Sequence, residues 1–211
     1  MKRLVLLILG FLALAIAWLG PLPGLAGEAF FAHMAMHMDV VAIATPFLAL
    51  SIAGSALDPV RRWPVLFPPI PISLLEFVAV WAWHAPAFHH LARHSSLGLV
   101  AEQTAFFLCG LLLWLSVFGG DQARRHNRAA SGIAALLLTS MHMTLLGALL
   151  ALTPRPLYEH ATGFGTLTQL EDQHLGGAIM LVIGGISYLT GGLWLTAGLV
   201  RGTSQTPKTV A

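Results

Sequence analysis

Two histidines stand one helical turn apart in an apolar stretch that reads His33-Met34-Ala35-Met36-His37-Met38-Asp39. The i, i+4 spacing stacks His33 over His37 on one helix face, and Met34 over Met38 on another. The same donors return in Met141-His142-Met143. Imidazole and thioether without thiolate suit Cu(I) better than Zn(II), and they are poor partners for Ca(II) or Mg(II). In an oxidising compartment His and Met also escape the disulfide chemistry that removes Cys ligands. Asp172 and His174 precede a further apolar stretch, where they could close such a site from above. The His-x-x-x-His pair lacks the intervening Glu of a zincin. No triad, phosphate loop or metalloprotease motif is present, so the chain reads as a metal-binding protein and not an enzyme.

The elements that must hold these residues follow from composition. Of 211 residues, 56% are hydrophobic and 9% charged, which excludes a disordered chain. The single cysteine, Cys109, excludes an intrachain disulfide and a thiolate metal cluster, and reads as an inert buried thiol. The basic residues are too scattered for a phosphate-binding face. Six stretches have the length and apolarity of spanning helices: Leu4–Leu22, Ala29–Gly54, Val65–His84, Gly98–Phe118, Ala129–Leu152 and Gly176–Val200. The predicted fold is an all-α polytopic membrane protein, one transmembrane bundle over residues 1–201, with a disordered tail at 202–211. The first stretch has a second reading as a signal sequence; its apolar run is long for one, which favours a retained helix. Alternate loops collect 9 of the 11 basic residues, so the positive-inside rule places both termini in the cytoplasm.

On that map, nine of the ten histidines fall in the outer half of a helix or in an outer loop, and only His126 falls inside. At a rise of about 1.5 Å per residue, His33 and His37 lie roughly 6 and 12 Å below the outer helix end, and His142 roughly 15 Å. Glu76 and Glu102 come out at about 12 and 6 Å. Four helices thus bring ionisable groups to one layer, where such groups are costly unless paired or ligated. The plainer readings stand beside these. Isolated methionines such as Met36 and Met180 read as core filler. An intramembrane His can serve only to bridge helices. His89, His90, His94, His160 and His174 sit in outer loops, where solvation is the ordinary role. Glu76 reads as a protonated helix-packing group, and the six Trp mostly as interfacial or packing residues.

His33-Met34 with His37-Met38, Trp83-His84-Ala85-Pro86, Pro156-Leu157-Tyr158 and Asp172-Gln173-His174-Leu175-Gly176-Gly177-Ala178-Ile179-Met180 occur in the order found in the CtaG family of cytochrome c oxidase assembly factors. The resemblance covers roughly Glu28 to Val200. It implies a multi-pass protein of the bacterial inner membrane that aids maturation of a haem–copper oxidase through supply of copper to its catalytic subunit. Carried over by residue, it points to His33, His37, His84 and Asp172. Two departures stand out. The family tends to carry Glu-His where this chain has Glu102-Gln103, so that the fourth stretch contributes only Glu102, or the missing role passes to His94 or His174. It also tends to have seven spans, against six here.

The expected function is delivery of copper, as Cu(I), through an outward-facing site drawn from His33, His37, His84, His142, Asp172, His174, Met34, Met38, Met141 and Met143. The expected partners are a soluble copper carrier on the outer face, the oxidase subunit and the lipid bilayer, with no nucleic acid. Labile His/Met coordination suits hand-over. The rival readings are a b-type haem electron carrier ligated by His37 and His142, a copper or proton transporter, and a scaffold without metal. A transporter needs polar groups in the inner half too, and the stretches are almost purely apolar there.

Overall fold

The computed structural model describes residues 1–158 and 165–203, leaving aside the side chains of 122–127, 202 and 203. His160 and all but the first two residues of the expected tail lie outside the described residues, as does the side chain of His126. The described residues form helices and no strands: α1 (Lys2–Leu19), α2 (Leu22–Glu28), α3 (Phe30–Met38), a π-helical segment (Asp39–Ala44), α4 (Thr45–Ile52), α5 (Pro59–Arg62), a 3₁₀ turn (Pro64–Leu66), α6 (Pro69–His84), α7 (Pro86–His94), α8 (Ser96–Phe118), α9 (Gln122–Leu152) and α10 (Gln169–Thr203). Five spans are long and apolar enough to cross a membrane: Lys2–Leu19, Phe30–Ile52, Ser96–Phe118, Arg128–Leu152 and Gln169–Arg201. The pair α6 and α7, bent by 71°, makes up to a sixth. The chain is a polytopic helical membrane protein, as its composition predicts.

The boundaries differ from expectation where proline sets them. The first stretch stops at Leu19, and Pro21 and Pro23 open the separate α2. The third begins at Pro69 instead of Val65, because Pro64 and Pro68 break the chain ahead of it. The expected loop after His84 is helical: Ala85 is extended ahead of Pro86, which starts α7. Ser95 then caps α8 by accepting from Gly98 N at 3.2 Å.

Helix α1 packs on α4 and the π segment, burying Ala13, Leu14 and Ala17 against Met36, Val40, Ala44 and Leu48. Helix α10 lies along α9 and also touches α3. Small residues allow the α9–α10 approach: a Cβ on Gly177 would stand 2.5 Å from Ala151 N and 2.8 Å from Gly147 O. The π segment disturbs the regular ladder, and the carbonyls there take side-chain donors. Val41 O accepts from Trp114 Nε1 at 3.1 Å and from Thr45 Oγ1 at 2.7 Å, and Ala42 O accepts from Ser187 Oγ at 2.7 Å. A buried polar chain ties α6, α9 and α10: Ser73 Oγ to Ala135 O, Ser73 Oγ to Thr139 Oγ1, Thr139 Oγ1 to Glu76 Oε2, and Tyr188 OH to Glu76 Oε1. Each of these links needs its own hydrogen, one more than the three hydroxyls carry. The carboxyl of Glu76 supplies the last one and is neutral.

Candidate metal centre

Helix α3 buries both of its histidines on the face toward α6, α7 and α8. His33 Nε2 and His37 Nε2 stand 2.8 Å apart. From α8, Glu102 Oε1 reaches within 3.4 Å of the first and 3.5 Å of the second. All three side chains are 1% exposed. One ligand atom from each lies within 4.8 Å of the others.

Two more imidazoles flank this group. His84, at the end of α6, has its ring centroid 6.0 Å from that of His37. Its Nδ1 donates to Val80 O at 2.7 Å, since a carbonyl only accepts. The neutral ring therefore keeps a lone pair on Nε2, which is buried and has no hydrogen-bond partner. His89, on α7, lies with its ring 5.0 Å from His33 and 4.1 Å from Tyr158. Tyr158 OH donates to His84 O at 2.8 Å, so the loop after α9 braces the end of α6. A cavity of about 210 Å³, bounded by α2, α7 and the start of α8, has His33, Arg93 and His94 in its wall.

The carboxylate of Glu102 faces two imidazoles and, among the described residues, accepts no hydrogen bond on either oxygen. A buried charge left so is costly, and a cation at this point relieves it. Glu102 Oε1 and the two Nε2 atoms make a nitrogen–oxygen donor set fit for a borderline divalent ion or for copper, and His84 stands beside this close group, outside it.

The other sequence candidates lie elsewhere. Asp172 accepts from Phe30 N at 2.8 Å and Phe31 N at 2.9 Å, so its carboxylate caps the start of α3 from α10. His174 Nε2 is bonded to Thr153 O at 2.9 Å. His142 packs edge-on to Phe77, ring centroids 5.2 Å apart, and is not in the group of close ligand atoms. Met141 is 69% exposed, turned out of the bundle. Met34, Met38 and Met143 are buried in the apolar core. The structure thus brings together His33 and His37, sets His84 beside them, and does not bring His142, Asp172, His174 or the methionines to the same point. The i, i+4 stacking held Met34 and Met38 together, but on a face that packs against α10, where Gly176 lies close to Met34 and Gly184 to Met38.

Sequence reasoning raised Glu102 as a ligand only through the family resemblance and did not count it among the expected ligands, although its depth matched that of His33. It also read His89 as a solvated loop residue; the signal against that was Pro86, which starts a helix and folds His89 inward to 3% exposure.

Fold and site define a multi-pass helical membrane protein with a buried imidazole–carboxylate centre at one end of the bundle. The family model for the cytochrome c oxidase caa3 assembly factor, Caa3_CtaG, matches residues 1–202. The chain belongs to that family of assembly factors. No curated protein and no solved structure matches it.

Proposed function

We propose that the protein binds copper at His33, His37 and Glu102, with His84 as a further ligand, and passes it to the catalytic subunit of a haem–copper oxidase. Copper is cargo in this reading. The observation that carries it is the buried Glu102 carboxylate, without a hydrogen bond, facing two imidazole nitrogens. With the thioethers in the core, the donors are nitrogen and oxygen, a set that accepts Cu(II) as well as Cu(I). The positive-inside rule supports a reading in which both termini lie in the cytoplasm, beneath a bacterial inner membrane, and the centre opens outward toward a soluble copper carrier. The 210 Å³ cavity is then the way in, past His94.

Metal analysis of the purified protein after loading with Cu(I) or Cu(II) tests this. Wild type is expected to retain about one copper per chain. The double variant His33→Ala/His37→Ala is expected to retain none, and Glu102→Gln to bind at least tenfold more weakly, the range for a lost metal-site partner. Unchanged stoichiometry in the double variant overturns the site. A colourless wild-type preparation without a Soret band is expected, since His142 packs on Phe77 and is outside the close ligand group of His37.

A further inference from the structure

A chain of hydrogen bonds enters the centre from α1, and it fixes where a hydrogen sits. Trp18 lies in the last turn of α1, and an indole N–H can only donate. Its Nε1 stands 3.1 Å from Gln103 Oε1, so the amide oxygen is the end turned to Trp18. The NH₂ end then faces His37, with Nε2 of Gln103 2.9 Å from Nδ1 of the ring. That group also can only donate, so His37 Nδ1 accepts. A neutral imidazole that accepts at one nitrogen carries its hydrogen on the other. His37 therefore has its hydrogen on Nε2, where it donates to His33 Nε2 across 2.8 Å. The atom of His37 best placed for a metal is occupied by that hydrogen. The spacing agrees: two imidazole nitrogens at about 2.0–2.1 Å from one tetrahedral ion stand roughly 3.3 Å apart, wider than this hydrogen bond.

We propose that Trp18 and Gln103 are positioning residues that hold His37 in the tautomer that cannot ligate, and that metal capture requires the Gln103 amide to turn over and release Trp18. The inference rests on the copper reading above. In the capture step Nε2–H gives its proton to a water molecule and Nδ1 takes one up from water, so neither the ring nor Glu102 changes charge. The freed Nε2 lone pair bonds the ion, and Nδ1–H now donates to Gln103 Oε1. Glu102 Oε1, 3.5 Å from Nε2, stays ionised and bonds the same ion. Without the turn of the amide, a ligated His37 would carry no hydrogen on either nitrogen, or would face an NH₂ group with an N–H. A cavity of about 280 Å³ bounded by Trp18, Met36, Leu99 and Gln103 gives the amide and the indole room to move. The Trp18 ring also meets the edge of Phe107, at 5.7 Å between centroids. The first helix is thereby part of the metal centre, acting through the orientation of one amide.

The test is nitrogen NMR of the full-length protein in detergent micelles with ¹⁵N-labelled histidine, His37 being assigned by its loss in His37→Ala. Metal-free wild type is expected to show the Nε2–H tautomer. Gln103→Glu, whose carboxylate can only accept, is expected to show Nδ1–H, and Trp18→Phe a mixture of the two. Copper affinity is then expected to rise in both variants, by about tenfold in Gln103→Glu, the lower end of measured outer-shell effects. A merely structural role for these residues would lower it instead. Wild-type His37 with its hydrogen on Nδ1, or a tautomer unmoved by Gln103→Glu, overturns the proposal with no metal present. The expected tautomers with equal or weaker copper binding in the variants overturn the capture step. Absence of copper binding in every form, wild type included, overturns the copper reading and with it the capture step, while the spectrum still decides the assignment of the hydrogen.

Discussion

The Asp172 carboxylate spans the start of α3 from α10, accepting from two successive backbone N–H groups at 2.8 and 2.9 Å. Replacing it with alanine removes both acceptors. A hydrogen bond to a charged group contributes about 1.5–3 kcal/mol, and loss of a helix cap about 0.5–2 kcal/mol. The Phe30 bond is buried, so its donor has no water to turn to; the Phe31 bond is only part-buried and is discounted. The expected loss for Asp172→Ala is therefore about 2–4 kcal/mol, and for Asp172→Asn, which keeps one acceptor, about half of that. Because His33 lies only three residues beyond Phe30, copper binding should weaken as α3 frays, yet saturate at the wild-type stoichiometry. The assay pairs a denaturation curve in micelles, followed by circular dichroism, with copper analysis at saturating metal. An Asp172→Asn protein with an unmoved midpoint and no bound copper would refute the argument and make Asp172 a ligand.

Other expectations follow from the same contacts. Gly177→Ala drives a Cβ to within 2.5 Å of Ala151 N and is expected to destabilise by about 1–3 kcal/mol, read as a lower unfolding midpoint. Glu76→Gln can still donate to one neighbour and accept from the other and should cost less than about 1 kcal/mol, whereas Glu76→Ala strands the Tyr188 hydroxyl, leaves Thr139 only its bond with Ser73, and should cost about 1–3 kcal/mol. Met141→Ser, on the outward face of α9, is expected to leave copper stoichiometry and affinity unchanged. A loss of copper there would place helix α9 in the centre after all.

The spanning helices were legible because apolar length is a property of a segment, and a bilayer demands little else. His33 and His37 were legible because both lie on one helix, where spacing alone fixes their relation. What was not legible depends on how helices turn toward one another. Met34 and Met38 repeat at the same interval as the histidines, but their face meets α10. Glu102 and Glu76 come out at similar depth, yet one faces imidazoles and the other hydroxyls. Asp172 has the chemistry of a ligand, and only the position of α3 shows that its oxygens are taken by backbone. His89 was hidden by an elbow that brings a loop-like sequence back over the bundle.

The π-helical segment at Asp39–Ala44 lies between the half of its span that carries His33 and His37 and the half that packs by Thr45, Leu48 and Ala49. Each residue advances a helix by about 100°. A single insertion or deletion here would leave the lower half seated on Trp114 and α1 while swinging both imidazoles a quarter turn or more away from Glu102. The segment acts as an indexing pin between two rotors. In this chain it is the length of the stretch that sets whether the histidine pair upstream meets the acid from α8.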